Sequence, residues 1–170
     1  MKANAFEDDF KESLKAYQST HDNFWYSRLF DTRTFRFVSE KMYANRQPAD
    51  FQALKDGISY FFECKMSHNP TSYAFTYIQP HQLESLLRIW DCGGRSYLVL
   101  NDRSKVRDFH AYLVEPYAML TLINKHLQCG RKSIKWEELA SVSTELPRTS
   151  GLWDLSSVFN LSGNRDPRSI

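Results

Sequence analysis

The sequence predicts an α/β (α+β) fold in which a mixed central β-sheet is flanked by helices. Apolar residues recur at helical spacing near the N-terminus, and a hairpin pattern occupies residues 51 to 62. An apolar run at residues 96 to 100 is followed by an alternating segment that suits a neighbouring strand. The order along the chain is a helix, a group of strands, a helix, two strands and a helix, which favours one sheet with helices packed on it.

Length and composition indicate one globular domain. The chain has 170 residues, of which 42% are hydrophobic and 15% aromatic, and this excludes a disordered protein. The net charge of +2 neither requires nor excludes a nucleic-acid partner. No apolar run reaches the roughly 18 residues of a membrane span, and the acidic N-terminus does not resemble a signal peptide. The three cysteines are far apart, so we expect a reducing cytoplasm rather than a disulfide framework.

Residues 4 to 20 are predicted to form the first helix, because one apolar stripe runs through Phe6, Phe10, Leu14 and Tyr17. Glu7, Asp8 and Asp9 fall in its first turn, where the helix dipole favours negative charge. That electrostatic role is sufficient for Asp8 and Asp9. Glu7 has two open interpretations, since it either faces a functional site or is simply solvated.

Residues 23 to 30 and 34 to 38 are predicted strands within a locally basic segment. Its cations are Arg28, Arg33, Arg36, Lys41 and Arg46, and aromatic residues interleave with them. Arginines beside aromatic rings suit contact with phosphates together with stacking on bases or sugars, so these five residues are candidate DNA contacts. The alternative is an ordinary strand pair whose charges are solvated.

The hairpin pattern follows directly. Phe51 to Leu54 forms its first strand, Lys55-Asp56-Gly57 supplies the turn, and Ile58 to Phe62 begins the second strand. Asp50 opens the first strand. Glu63 and Lys65 follow the apolar part of the second strand and, being two residues apart, point to the same face.

The second half of the chain alternates helices and strands. Ser67 to Tyr77, rich in Asn, Pro, Thr, Ser and Tyr, is a predicted loop that should border the site because it directly follows the strand of Lys65. Residues 79 to 91 are a predicted helix stopped by Gly93-Gly94. Gln82 lies in its first turn, either as a functional residue or as a cap or other polar first-turn residue. Strands follow at Ser96–Leu100 and Asp108–Val114, and a helix begins at Pro116. Ser133 is predicted to cap a short helix that runs to Leu139. From residue 144 to residue 170 the polar, proline- and glycine-containing sequence predicts a flexible C-terminal tail after a domain spanning residues 1 to 143. The alternative for part of this tail is that Leu152-Trp153 and Val158-Phe159 dock on the domain or on a partner.

The acids around the hairpin suggest a specific chemistry. Carboxylates at one sheet edge, here Asp50 and Glu63, can hold Mg²⁺ or Mn²⁺ through oxygen, and the metal can activate water and neutralise a phosphate. The ammonium of Lys65 can orient that water or stabilise the developing charge. The alternative is that Glu63 and Lys65 form an exposed ion pair and that Asp50 is a turn residue.

This pattern resembles a known superfamily. Asp50 followed across a hairpin by Glu63-Cys64-Lys65 is similar to the signature of PD-(D/E)XK nucleases, most closely that of RecU-type Holliday-junction resolvases. The resemblance covers roughly residues 4 to 115. It implies that Asp50 and Glu63 bind the metal, that Lys65 is the catalytic lysine and that Gln82 is a metal-associated glutamine. It also implies a glutamate on the opening helix, at Glu7.

The resemblance further implies a restriction-endonuclease-like core, an Mg²⁺- or Mn²⁺-dependent DNA endonuclease activity and a homodimer that acts on four-way junctions. Two segments are candidates for the apolar dimer surface: the aromatic strands at residues 24 to 38 and the late strand around Phe109 to Val114. It implies no membrane and no small-molecule organic cofactor. RecU-type enzymes carry a protruding stalk in the region of the basic segment, and here that segment is shorter, which bears on junction specificity. Two alternatives stay open: a nuclease of the same fold with another DNA substrate, and a DNA-binding module that has lost cleavage.

Overall fold

The computed structural model describes residues 5–29, 47–106 and 108–160. The helices are α1 (Ala5–Gln18), α2 (Pro80–Asp91), α3 (Pro116–Gln128), α4 (Trp136–Ala140) and α5 (Ser156–Asn160). The strands are β1 (Phe24–Arg28), β2 (Phe51–Lys55), β3 (Ile58–Ser67), β4 (Ser72–Ala74), β5 (Arg95–Lys105), β6 (Asp108–Val114), β7 (Ser133–Lys135), β8 (Thr144–Leu146), β9 (Arg148–Thr149) and β10 (Leu152–Trp153). No helix in these ranges is long and apolar enough to cross a membrane.

The described strands build one large mixed sheet, as predicted. Its order is β1-β2-β3-β5-β6-β8, and two small sheets pair β4 with β7 and β9 with β10. The β3–β5 pair is parallel, and the other neighbours in the large sheet are antiparallel. Helix α2 provides the crossover between the parallel strands, which a hairpin cannot make. The predicted fold class and the central position of the apolar strand β5 are confirmed.

The hairpin of β2 and β3 is confirmed, and its turn follows from the sequence. Asp56 and Gly57 both have positive φ, at 51° and 79°. A two-residue turn of this kind matches the twist of the flanking strands and favours Asp-Gly. The resulting register places Phe51 opposite Phe62. Strand β3 continues to Ser67, so Glu63 and Lys65 lie in the middle of a long strand.

The two faces of the sheet carry separate cores. On one face, Phe10 of α1 packs its ring 5.8 Å from Phe51 and 5.3 Å from Phe62. On the other, α2 and α3 bury Leu86 and Met119 against strand β5. Because side chains alternate along a strand, Phe62 faces the α1 core while Glu63 faces α2. The site residues therefore lie at the boundary between the two cores.

Two predictions about the connecting segments are corrected. Ser133 does not cap a helix; it pairs with Ala74 in the β4–β7 sheet, and α4 begins later with Lys135 at its N-cap. Burial explains the change, because Tyr73 and Ile134 face each other in this sheet and both are fully buried. The predicted loop from residue 67 to 77 likewise contains β4 and a 3₁₀ turn.

The flexible tail predicted from residue 144 is, as far as residue 160, a packed part of the fold. Strand β8 pairs with β6 along the edge of the large sheet. Trp153 and Phe159 are each 3% exposed, and the Trp153 backbone N–H donates to Ser13 Oγ of α1 at 2.9 Å. A few large apolar side chains outweigh the polar composition that predicted disorder. Residues 161–170 and the strand predicted at 34 to 38 lie outside the described residues.

Candidate active site

Asp50 is held in place by the start of the hairpin. It lies immediately before β2, and its backbone N–H donates to the Phe62 carbonyl at 3.0 Å. Its carboxylate Oδ2 accepts from the backbone N–H of Cys64 at 2.8 Å. The acid is therefore fixed by the residue that separates Glu63 from Lys65. Backbone donors orient a carboxylate without adding a mobile side chain.

Glu63, Lys65 and Gln82 meet at a single carboxylate oxygen. Lys65 Nζ lies 2.7 Å from Glu63 Oε1, and the Gln82 side-chain amide also donates to Glu63 Oε1. Glu63 is 2% exposed, whereas 22% of the Lys65 side chain reaches solvent. The same-face placement expected from their spacing thus becomes a direct contact. The buried carboxylate of Glu63 is thus in contact with Lys65, whose side chain lines a solvent-accessible cleft.

Gln82 reaches Glu63 because of how α2 begins. Gln79 is the N-cap, and its backbone N–H donates to Gln82 Oε1 at 3.2 Å in a capping box. This contact occupies the amide oxygen and turns the Gln82 amide nitrogen toward Glu63. In this arrangement Gln82 acts as a donor that positions Glu63, and its oxygen points away from the acids.

The electrostatics of the acids favour a positive partner. Burial and, after it, the charge of Asp50 raise the pKa of Glu63 to about 7, although Lys65 opposes both effects. Burial also raises the pKa of Asp50, against the lowering effects of the Cys64 N–H and Lys65. Two carboxylates that are largely out of water and repel each other bind protons more tightly than usual. A cation placed between the two carboxylates would offset their mutual repulsion and their loss of hydration.

Glu7 forms a third acidic wall of the site. Burial and the charge of Asp50 raise the pKa of Glu7, and its carboxylate binds the guanidinium of Arg28. The Arg28 guanidinium also lies 5.9 Å from the centroid of the Phe51 ring. Of the two interpretations of Glu7, the structure favours a position at the site over free solvation. Arg28, a predicted DNA contact, is held within the wall of the site by Glu7.

Glu7 and Lys65 border an open cleft of about 360 Å³. Its lining joins α1, β3 and the 3₁₀ turn Phe75–Tyr77: Phe6, Glu7, Cys64, Lys65, Met66, Thr76, Tyr77 and Gln79. The segment after β3 was expected to border the site, and it supplies Thr76 and Tyr77. Sequence periodicity gives no signal that singles out these two residues, since they lie in a short turn.

The donor set at the site is sparse. Within residues 5–29, 47–106 and 108–160, no group of three or more His, Cys, Asp or Glu side chains is arranged to hold a metal ion. Asp50 and Glu63 are hard oxygen donors, and Mg²⁺ in particular is held by one or two carboxylates with water and substrate phosphate completing its shell. Two desolvated, mutually repelling carboxylates therefore fit such a cation.

Four of the five predicted DNA contacts are not described by the structure. Arg33, Arg36, Lys41 and Arg46 fall between residues 29 and 47. That segment joins β1, which ends at Arg28, to the approach to Asp50. Two described residues that flank it, Arg28 in its pair with Glu7 and Asp50, lie at the site.

Comparisons with known proteins point to one family. The sequence model of RecU, recombination protein U, matches residues 2–153. Holliday junction resolvase RecU of Oceanobacillus iheyensis is 25% identical over 118 residues, covering 69% of this chain and 59% of that protein. The chain thus spans about three-fifths of the length of this relative. Among solved structures, Archaeoglobus fulgidus Hjc, a Holliday junction resolvase, is a distant match. Its TM-score is 0.39 at 14% identity, over 89% of this chain and 90% of that one.

Proposed function

The chain belongs to the RecU family of recombination proteins, and we propose that it is a divalent-metal-dependent DNA endonuclease that resolves four-way junctions. The observation that carries the proposal is the grouping of Asp50, Glu63 and Lys65: Asp50 accepts from the backbone N–H of Cys64, Glu63 contacts Lys65, and Lys65 lines the cleft. These are the residue types that hydrolysis of a phosphodiester needs: oxygen ligands for a cation and a positive group for the developing charge. A protein that only binds DNA needs none of them.

Asp50 and Glu63 would hold Mg²⁺ or Mn²⁺. Gln82 would be a third ligand if its side-chain amide rotated so that its oxygen faced the cation. When bound, the cation would supply positive charge at the phosphate and lower the pKa of water. Rotation of the Gln82 side-chain amide would break the hydrogen bond between its oxygen and the Gln79 N–H, and the oxygen would bind the cation instead. The proposal therefore involves the first turn of α2. Either metal suits this donor set, because both accept carboxylate and amide oxygen.

Lys65 is proposed to act on the reacting phosphate. Its ammonium has one partner described, Glu63, and the rest of the side chain faces the cleft. If its ammonium leaves Glu63, Lys65 can donate a hydrogen bond to the attacking water or to a non-bridging phosphate oxygen. The reaction is then an in-line displacement in which positioning and charge supply most of the rate.

Two copies of the chain are proposed to act together. A four-way junction has two-fold symmetry, and productive cutting needs paired nicks, whereas one chain carries one such site. Of the two surfaces considered from the sequence, β6 is the weaker candidate, because it lies inside the sheet between β5 and β8. The other surface is at strand β1, where Trp25 is 48% exposed and lies opposite Leu54, which is 43% exposed. This pair is an apolar surface that a second copy would cover.

The basic segment is proposed to contact DNA beside the cleft. Its cations Arg33, Arg36, Lys41 and Arg46 lie in the stretch that links β1 to Asp50. Cations there would bind phosphates and hold the strand to be cut near the acids. Replacing Arg33 and Arg36 by alanine should weaken junction binding and make it less dependent on salt.

A cleavage assay tests the proposed function. Four-way junction, flap and plain duplex are incubated with the protein at one salt concentration, with Mg²⁺, Mn²⁺ or EDTA. We expect symmetric nicks in the junction that require metal and are absent in Glu63→Gln. Equal cutting of duplex would leave the nuclease chemistry standing and remove the resolvase assignment. Binding without any cutting in either metal would indicate a binding module.

A further inference from the structure

Tyr73 carries a hydroxyl that its packing does not require. The residue is 0% exposed, and its Oη has no hydrogen-bond partner among the described residues. Its ring packs edge-on against Tyr77 and Trp136, with centroids 5.7 Å away in both cases. A phenylalanine would make the same ring contacts without burying an unsatisfied polar atom, which costs free energy. Core packing alone therefore does not explain why residue 73 carries a hydroxyl.

The position of Tyr73 suggests what that role is. Its ring belongs to the core on the α2 face of the sheet, together with Ala49 and Leu83. Ala49 precedes Asp50 in the chain and Leu83 follows Gln82, so Tyr73 belongs to the same buried cluster as the immediate neighbours of two site residues. Its ring neighbour Tyr77 lines the cleft. After burial, the charge of Glu63 is the largest influence that raises the pKa of Tyr73.

The Glu63 carboxylate can accept a further hydrogen bond that would hold it in place. Both of its described partners, Lys65 and Gln82, contact the same oxygen, Oε1. In the proposed reaction Glu63 would lose both contacts, because Lys65 would move to the phosphate and the Gln82 side-chain amide would rotate toward the cation. A carboxylate that binds a cation is usually held by hydrogen bonds from neighbouring groups. A donor that stays buried behind Glu63 would hold it throughout.

We propose that Tyr73 is a positioning residue for Glu63, and that its hydroxyl donates a hydrogen bond to the Glu63 carboxylate, directly or through one enclosed water, when the cation is bound. This inference rests on the proposed function. It assigns Tyr73 no contact with the substrate. Its effect is on how tightly the site holds the cation.

Replacement of Tyr73 by phenylalanine removes only the oxygen. Isothermal titration with Mn²⁺ should then show affinity reduced about ten-fold or more, as for other groups that orient metal ligands. Junction cleavage should fall at low Mn²⁺ and recover at high Mn²⁺. The thermal midpoint should stay equal or rise, since an unpartnered buried hydroxyl has been removed.

Tyr112→Phe is the matched control. Tyr112 is 8% exposed and stacks on the same Trp136, with centroids 5.9 Å apart. Glu145 and Asp102, rather than Glu63, are the acids that most affect its hydroxyl. This variant should bind Mn²⁺ as the wild type does. Equal affinities for Tyr73→Phe and wild type would overturn the inference, and so would equal losses in the two tyrosine variants.

A second measurement does not depend on how the variant folds. In a crystal structure of the Mn²⁺-bound wild type, Tyr73 Oη should lie within about 3.2 Å of a Glu63 oxygen or of a water bound to it. A hydroxyl without a partner there would overturn the inference even if the nuclease is active. Failure of the proposed function itself has a different signature, because the wild type would then neither bind Mn²⁺ at this site nor cut DNA.

Discussion

Lys65 Nζ lies 2.7 Å from Glu63 Oε1, on the same face of one strand. This contact gives the buried acid a positive neighbour from within the chain. The lysine is more exposed than the acid it contacts, so it can leave without unpacking the core. Lys65 consequently compensates the charge of Glu63, whereas the neighbouring charges of Asp50 and Glu7 oppose it.

Loss of either acid should stop cleavage and spare DNA binding. In Asp50→Ala and Glu63→Ala, junction cutting should fall to background, because the oxygen ligands for the cation are gone. Junction affinity in a gel-shift assay should change little, since phosphate contacts come mainly from Lys and Arg. Asp154→Ala, an exposed acid of the C-terminal segment, serves as the control and should cut normally. Wild-type cutting by Glu63→Ala would remove the assignment.

Lys65 should affect the rate and not the metal. Lys65→Ala is expected to slow single-turnover cleavage by about 10²- to 10³-fold, because it removes a positive donor from the developing charge. Isothermal titration with Mn²⁺ should show affinity at or above that of the wild type, as Lys65 no longer competes for Glu63. Lys65→Arg should rescue poorly, since a guanidinium differs in size and geometry. A variant that fails only because it cannot bind Mn²⁺ would refute this role.

The raised pKa of Glu63 should make stability depend on pH. Its pKa is 4.5 in the ordinary state and about 7 in the folded protein, so between these values the folded state binds more protons. The free energy of unfolding should therefore fall as pH rises through this window and stay lower above it. Glu63→Gln removes the buried charge and should be more stable than wild type by about 1–3 kcal/mol at pH 8.

Urea unfolding at pH 5 and pH 8 measures this effect. The advantage of Glu63→Gln should shrink toward pH 5, where the wild-type acid is mostly protonated. Mn²⁺ at pH 8 should stabilise the wild type and leave the variant nearly unchanged. An advantage of the same size at both pH values would show that Glu63 is not the titrating group.

The C-terminal segment should contribute strongly to stability. Phe159 packs against the rings of Tyr17, Phe24 and Tyr60, with centroids 4.8, 4.9 and 4.9 Å away. Phe159→Ala should lower the free energy of unfolding by about 3–5 kcal/mol, as other buried Phe→Ala changes do. Leu152→Ala, at a residue that is 36% exposed, should cost under about 1 kcal/mol. Equal urea midpoints for the two variants would contradict this packing.

Strand β1 should carry the dimer contact. Trp25→Lys places a charge on the exposed Trp25–Leu54 surface and should shift the protein to monomers in light scattering at micromolar concentration. Val106→Lys is the control, since Val106 is 88% exposed but lies in the turn between β5 and β6. If the protein is monomeric before any change, or if Trp25→Lys stays dimeric, the proposed interface is wrong.

Local chemistry explains which elements the sequence predicts well. The Asp56-Gly57 turn encodes the hairpin, and the proline at the start of α2 together with Gly93-Gly94 at its end encode the helix. Strand β6 is observed with the predicted bounds, Asp108–Val114. Each of these patterns is complete within fifteen residues. The spacing of Glu63 and Lys65 on one strand belongs to the same class.

The features that the sequence does not predict are contacts between distant parts of the chain. The pairing of Arg28 with Glu7 joins residues on different elements, and neither residue type indicates its partner. Tyr73 pairs with Ile134 across the small β4–β7 sheet, at a separation of about sixty residues. Such pairings depend on side-chain shape and on how loops close, which short-range patterns do not encode.

The packing of α1 against the C-terminal segment affects the order in which the site can be completed during synthesis. Ser13 of α1 accepts a hydrogen bond from Trp153, and Tyr17 packs on Phe159. The helix that presents Glu7 thus gains part of its support only after those residues leave the ribosome. A nascent chain that has made the hairpin and α2 holds Asp50, Glu63 and Lys65, but the helix that carries Glu7 is not yet anchored. We therefore expect the complete site to form only after Phe159 has been synthesised.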